Sequence, residues 1–291
     1  MSLFPGFEPR WFEVGETVIS GVVGGSGPPL LLLHGYPQTH VMWHRMAARL
    51  ASRFTVVATD LRGYGKSSKP EGPPDHSAYS KRAMAEDQVR VMASLGFERF
   101  SVVGHDRGGR VAHRMVLDHE SAIDRWAVLD IVPTRTMYQR TDRTFAEAYY
   151  HWFFLIQPAP LPERLIAADP TFFLNYHLGM RHGGLEGFDR EALEQYRVAF
   201  RDPATVHATC EDYRAAASID LEHDEADLFR KIRAPLLVLW GRHGIIERCF
   251  RPLEDWSERV HSVSGRALDC GHYIAEEAPA EAAAELIRFL S

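Results

Sequence analysis

Short unbroken apolar runs, bounded by glycine, proline and charged residues, recur along the chain and set its architecture. Leu30 to Leu33, Thr55 to Thr59, Phe100 to Val103, Trp126 to Ile131 and Pro235 to Trp240 are apolar with little alternation, the pattern of strands buried on both faces. Between them lie stretches with helical spacing: about Ser80 to Leu95, Arg110 to Leu117 with apolar residues at 111, 112, 115 and 116, and a final helix from about Pro279 to Leu290. Buried strands alternating with helices predict an α/β fold with a mostly parallel central sheet covered on both faces. Ligands of such sheets bind at the carboxyl ends of the strands. Trp11 to Val23 reads as a β-hairpin with Gly15 or Gly21 near its turns, leading through the glycine-rich stretch 24–29 into the first buried strand. The alternation stops between Pro133 and about Asp227, where the sequence is helical and aromatic-rich, broken at Gln157–Pro162 and His182–Gly184. Its chain leaves and re-enters the sheet without a linker, so we expect a core of residues 1–132 and 228–291 carrying a helical cap insertion over 133–227.

Candidate chemistry sits where these strands end. The strand Phe100–Val103 runs into Gly104-His105-Asp106-Arg107-Gly108-Gly109 and then into a helical segment, placing Gly-x-Asp-x-Gly at a sharp strand-to-helix turn. This is the form of a nucleophile elbow, in which flanking glycines let the backbone strain and push one side chain into a site. A carboxylate there suits attack on carbon and not acyl transfer. Aspartate before a helix is also a good N-cap, and glycine is common wherever a strand turns into a helix, so the motif alone leaves both readings open. What changes the balance is its company. His34-Gly35-Tyr36-Pro37 follows the strand Leu30–Leu33, and Asp269-Cys270-Gly271-His272 precedes the last helix.

With these three motifs the chain resembles the α/β-hydrolase family over essentially its whole length, and within it the fluoroacetate and haloacetate dehalogenases. The resemblance implies Asp106 as nucleophile, His272 as base, and the backbone N–H groups of Tyr36 and Arg107 as an oxyanion hole. The acid that orients the histidine is less regular. It commonly follows the strand read here as Pro235–Trp240, but that loop carries Gly244 near the expected position, and Glu247 fits poorly. Asp130, at the end of the preceding strand, matches the alternative position used by fluoroacetate dehalogenases and is the expected acid, although either carboxylate would serve if it reached the far ring nitrogen. Arg107 and Arg110 lie in the first turn of the elbow helix, where cations oppose the helix macrodipole at ~0.3–1 kcal/mol each unless an anion is present. They pair with Asp106 or with acids of the cap, or they form a forked clamp for a substrate carboxylate. The resemblance favours the clamp, because haloalkane dehalogenases typically have tryptophan directly after the nucleophile. It also implies a halide pocket of His151, Trp152 and Tyr213, in a stretch that by itself reads as cap core. His105 and Gln38 line the pocket or support the turn. Similar enzymes often carry a further tryptophan that narrows the pocket, whereas the six here are residues 11, 43, 126, 152, 240 and 256, which leaves pocket size open.

The implied reaction is hydrolytic dehalogenation of small 2-halo acids to 2-hydroxy acids through an aspartyl ester, with no metal or organic cofactor required. Two alternatives stand beside it: an epoxide hydrolase using the same Asp106 with cap tyrosines as acids, and a non-catalytic binding protein on the same fold, whose triad should be broken. A serine esterase is disfavoured because serine is absent from the elbow. Composition agrees with a globular enzyme: 291 residues, 45% hydrophobic and 25% charged. A net charge of −6, from 33 basic and 39 acidic residues, gives no global attraction to nucleic acid or anionic membranes, so a small anionic substrate must be drawn by a local arrangement. Three cysteines without metal-type spacing argue against a disulfide framework or a zinc site. No secretory leader pattern or apolar run of membrane-spanning length is present, so cytoplasmic residence is expected. A homodimer, common among similar enzymes, stays open.

Overall fold

In the computed structural model, which describes residues 2–291, eight strands form one sheet in the order β1-β2-β4-β3-β5-β6-β7-β8. They are β1 (Phe7–Val14), β2 (Thr17–Gly24), β3 (Pro29–Leu33), β4 (Thr55–Thr59), β5 (Phe100–His105), β6 (Ile123–Leu129), β7 (Leu236–Gly241) and β8 (Val263–Leu268). The β1–β2 and β2–β4 pairs are antiparallel and every later pair is parallel. Leu30–Leu33, Val56–Thr59 and all of β5 and β7 are buried, which explains why the sequence shows unbroken apolar runs there. Core helices pack in two groups, α1 (His44–Ala51) with the C-terminal helix Pro279–Leu290, and α2 (Lys81–Ser94) with α3 (Arg107–Asp118), the arrangement of an α/β-hydrolase sheet covered on both faces.

Two expected boundaries move for backbone reasons. The hairpin begins at Phe7 and turns at Gly15, whose φ of 71° suits glycine, with Val14 opposite Thr17. Gly21 lies instead inside β2 opposite Thr59, where a Cβ would come within 2.5 Å of the Ala58 carbonyl oxygen. The strand read as Trp126–Ile131 ends at Leu129, because Asp130 leaves the sheet at φ 53°.

Between β6 and β7 the described residues contain no strand. They form α4 (Thr134–Gln139), α5 (Arg143–Ala148), α6 (Tyr150–Phe154), α7 (Leu161–Ala168), α8 (Pro170–Gly179), α9 (Arg190–Phe200), α10 (Pro203–Ala216) and α11 (Ile219–Ala226). Aspartate caps start several of them: the side chains of Asp142, Asp169, Asp189 and Asp202 each accept a backbone N–H of the following first turn. After β7 come α12 (Ile245–Cys249), α13 (Pro252–Ser257), α14 (Ile274–Glu277) and α15 (Pro279–Leu290). No helix among the described residues is long and apolar enough to cross a membrane.

Candidate active site

Asp106 joins β5 to α3 with φ 47° and ψ −112°, a conformation that costs a non-glycine residue on the order of 1–3 kcal/mol and survives only where the surroundings enforce it. Three glycines make the turn possible. A Cβ on Gly104 would lie 2.3 Å from the Gly108 carbonyl oxygen, one on Gly108 2.4 Å from that of Leu33, and one on Gly35 2.5 Å from the Asp106 Cβ. The Asp106 side chain makes no N-cap bond to α3. Its Oδ1 instead accepts the Tyr36 backbone N–H at 3.0 Å, so the helix-capping reading of this aspartate does not describe its geometry. The loop after β3 is held by His34, whose Nε2 accepts the Leu61 N–H at 3.0 Å while its Nδ1–H donates to the Gly35 carbonyl. Burial opposes ionisation of Asp106, but the nearby His272 and the guanidiniums of Arg110 and Arg107 outweigh it and hold the carboxyl down to about 2.

His272, on the loop after β8, donates Nδ1–H to Asp130 Oδ2 at 2.6 Å, and the other Asp130 oxygen accepts the Gly241 N–H at 2.9 Å. Glu247 is turned away and receives the Trp240 indole N–H. Gly244 borders the pair, an added Cβ lying at ordinary contact distance, 3.5 Å, from both Asp130 oxygens. His105 supports the base from beneath, with Nε2–H donating to the His272 carbonyl at 2.8 Å. Burial and the neighbouring His272 push the His105 imidazole down to about 3, so it stays neutral.

The two arginines divide their donors. Arg107, fully buried, grips Asp212 of α10 with Nε and Nη2, at 3.0 and 2.6 Å, and also donates to the Asp212 carbonyl. Asp212 is shared with Lys81 and the Tyr64 hydroxyl, and these partners, against its burial, hold its carboxyl well below the usual range. Arg110 donates to Thr134 Oγ1 at 2.9 Å and to the Val132 carbonyl. Arg107 Nη1 and Arg110 Nε are buried without a partner. Each guanidinium also lies over a cap aromatic, Arg107 at 4.1 Å from the Tyr213 ring centre and Arg110 at 4.7 Å from that of Trp152.

Around Asp106 the cap contributes a shell of rings. Tyr36 lies 5.3 Å from Tyr213 and 5.0 Å from His177, and His151 is 4.5 Å from His177. His151 Nδ1, Trp152 Nε1, His177 Nδ1 and the hydroxyls of Tyr36 and Tyr213 are all buried without a hydrogen-bond partner. Desolvation by burial pushes His151 and His177 far below the usual imidazole range, so both are neutral. Unclaimed neutral donors beside a carboxylate are unusual in a protein interior and form a place that can receive an anion.

Residues 28–279 match the family described as alpha/beta hydrolase fold. The chain belongs to the α/β-hydrolase family. It is 51% identical over 290 residues, 99% of this chain and 95% of the relative, to a fluoroacetate dehalogenase of Burkholderia sp. A soluble epoxide hydrolase of Corynebacterium sp. (strain C12) is 31% identical over 89% of this chain and 88% of its own. Among solved structures, a chain of Nostoc sp PCC 7120 described as an alpha/beta hydrolase superposes with TM-score 0.97 at 56% identity, covering 98% of each chain.

In this fluoroacetate-dehalogenase-like hydrolase, the residues named from the sequence fall into two groups. Asp106, His272, Asp130, Tyr36, Arg107 and Arg110 come from the core loops and the elbow helix, and His151, Trp152 and Tyr213 descend onto them from α6 and α10. Gln38 stands apart, donating to Glu276 at 3.4 Å. Sequence reasoning missed Asp212, His177 and Arg181, whereas Tyr149 is among the cap tyrosines considered as acids for an epoxide. Asp212 directly precedes Tyr213 and was legible as an acid of the right segment; His177 and Arg181 carry no motif.

Proposed function

We propose that this hydrolase cleaves the carbon–halogen bond of small 2-halo acids such as haloacetates, fluoroacetate among them, giving 2-hydroxy acids. The observation that carries the reading is the division of unclaimed donors around Asp106: guanidinium N–H groups of Arg107 and Arg110 on the elbow helix, and the neutral N–H and O–H groups of His151, Trp152 and Tyr213 on the cap. The first pair suits a carboxylate. The second set suits a departing halide, which neutral donors stabilise without adding a competing negative charge.

The reaction then runs in two displacements. One Asp106 oxygen attacks the α-carbon, the halogen leaves with the bonding electron pair, and an aspartyl ester forms. His272 takes a proton from water, and the resulting hydroxide adds to the Asp106 carbonyl carbon, the oxyanion being held by the Tyr36 and Arg107 amide N–H groups. Collapse expels the product alkoxide, which takes the proton from His272, and the Asp106 carboxyl, now carrying one oxygen from water, releases the remaining proton to solvent and returns to the carboxylate. Asp130 holds the His272 tautomer and stabilises its cation.

The epoxide-hydrolase reading has one observation of its own, the pair of unclaimed hydroxyls on Tyr36 and Tyr213, beside the 31% identical relative. Free guanidinium donors have no task in that reaction. The deciding experiment measures halide from fluoroacetate and chloroacetate, and diol from an epoxide, on the parent and on Asp106→Asn and His272→Asn. Halide from the parent, with an ester trapped on the His272 variant, supports dehalogenation. Diol without halide overturns it.

A further inference from the structure

Arg181, two residues beyond α8, is a cation with no anion. It takes part in no ion pair among the described residues, its Nη1 donates to the Ala148 carbonyl at 3.2 Å, the Tyr273 hydroxyl is its other polar neighbour, and its Nε is buried without a partner. The guanidinium lies 4.5 Å over the ring of Tyr149, whose hydroxyl is 3.4 Å from His272 Nδ1. Through Tyr149 it borders the base His272, and its charge bears on Asp106, His151 and His177. A cavity of about 200 Å³ opens beside it, lined by Tyr149, Arg181, His182, His243, Arg248 and His272 among others, with no carboxylate in its wall. The nearby acids are engaged elsewhere: Glu277 accepts the backbone N–H groups of Gly271 and Tyr273, and Asp269 pairs with His243.

Arg181 is half-buried, and its inner Nε, cut off from water, lacks the partner that normally offsets such burial. The stereochemistry of the proposed reaction says what could supply one. At the attacked α-carbon, Asp106 and the halogen are in line and the carboxylate is turned toward Arg107 and Arg110, which leaves two positions for the hydrogen and the side group; in one enantiomer the side group is offered the wall of Tyr149, His272 and Arg181. We propose that Arg181 and the cavity beside it bind a second carboxylate on that side group, so that the substrate class extends to 2-halo dicarboxylic acids such as 2-halosuccinate. The inference rests on the dehalogenase reading for its chemistry, in which the carbon–halogen bond is replaced by a carbon–hydroxyl bond from water, halide and a proton are released, and the second carboxylate is unchanged.

The test compares kcat/KM for 2-chlorosuccinate and 2-chlorobutanoate, both as resolved enantiomers, on the parent, Arg181→Gln and Arg181→Lys. The parent should prefer one chlorosuccinate enantiomer over the matched chlorobutanoate by on the order of tenfold to a hundredfold, the worth of a charge-assisted contact in a desolvated site. That ratio should fall to about one in Arg181→Gln and recover in part in Arg181→Lys. A preference for chlorobutanoate in the parent, or a ratio that Arg181→Gln leaves unchanged, overturns the proposal. Equal losses on both substrates, diminishing with salt, would make Arg181 a general attractor of anions and would also overturn it. Calorimetric binding of succinate against butanoate to the same three proteins separates this result from the reaction itself. If chloroacetate gives no halide, the dehalogenase reading fails, and the dicarboxylate site is then decided by whether succinate binds tighter than butanoate in an Arg181-dependent way.

Discussion

Replacing Asp130 by asparagine isolates the second half of the reaction. The substitution keeps the shape of the side chain, and asparagine tolerates the positive φ of 53° found at this position. What it changes is hydrogen-bond polarity. Asp130 accepts from His272 Nδ1–H at 2.6 Å and from the Gly241 N–H at 2.9 Å, so both oxygens are acceptors. An asparagine can satisfy only one of these donors. If its oxygen stays on Gly241, its NH₂ faces His272 and favours the tautomer with Nδ1 bare and Nε2 protonated, which cannot take a proton from water. In the serine-protease triad the equivalent change costs about ten-thousandfold in turnover, or ~5.5 kcal/mol of barrier. Here the loss should fall on ester hydrolysis alone, because alkylation of Asp106 needs no base. Rapid-quench measurement of chloride from chloroacetate should therefore show a burst close to one halide per active site, followed by a steady state slowed about a thousandfold to ten-thousandfold, with the aspartyl ester visible by intact-protein mass spectrometry. Loss of the burst together with turnover would place Asp130 in the first step or in folding. Unchanged turnover would return the role of acid to Glu247.

Three further outcomes follow from the geometry. Burial raises the Glu276 carboxyl to about 7 from an ordinary 4.5, so the folded chain keeps a proton that the unfolded chain has already lost; that stabilisation is complete below about 4.5 and gone as pH rises through 7. Urea unfolding of Glu276→Gln against the parent should accordingly shift in the variant's favour by ~3 kcal/mol between pH 4.5 and 8, and a pH-independent difference would contradict the shift. The alkylation burst should keep its rate from pH 8 to pH 5, since Asp106 is held down to about 2 and is ionised throughout; a decline with a midpoint between 5 and 7 would mean that another group controls the first step. Gly104→Ala should destabilise the fold by about 3 kcal/mol, because its Cβ would meet the Gly108 carbonyl oxygen at 2.3 Å, and an unchanged melting temperature would mean the elbow yields easily.

The parts of the site written in local sequence were the parts that could be read from it. The elbow, the His-Gly turn and the Cys-Gly-His loop each join a buried strand to a tight turn, and the glycines there have steric reasons visible in a single stretch of chain. The choice between Asp130 and Glu247 hinged on which carboxylate reached across 142 residues to His272, a matter of strand order and of Asp130 leaving β6 at positive φ. The arginine pair was half legible. Two cations in the first turn of α3 demanded an anion: Asp212, 105 residues away on α10, takes most of the Arg107 fork, and one N–H on each guanidinium is left unclaimed. His177 and Arg181 could not have been found by pattern, because a single polar residue near the end of an aromatic helix looks the same whether it faces solvent or a site.

The most direct test of the central claim is a single turnover of chloroacetate in ¹⁸O-enriched water with enzyme in excess, followed by mass spectrometry of the peptide that contains Asp106. One ¹⁸O is expected in the Asp106 carboxylate and none in the glycolate released in that first turnover. Label appearing in the glycolate, with Asp106 unlabelled, would mean that water attacks the substrate directly, and the aspartyl ester would have no place in the reaction.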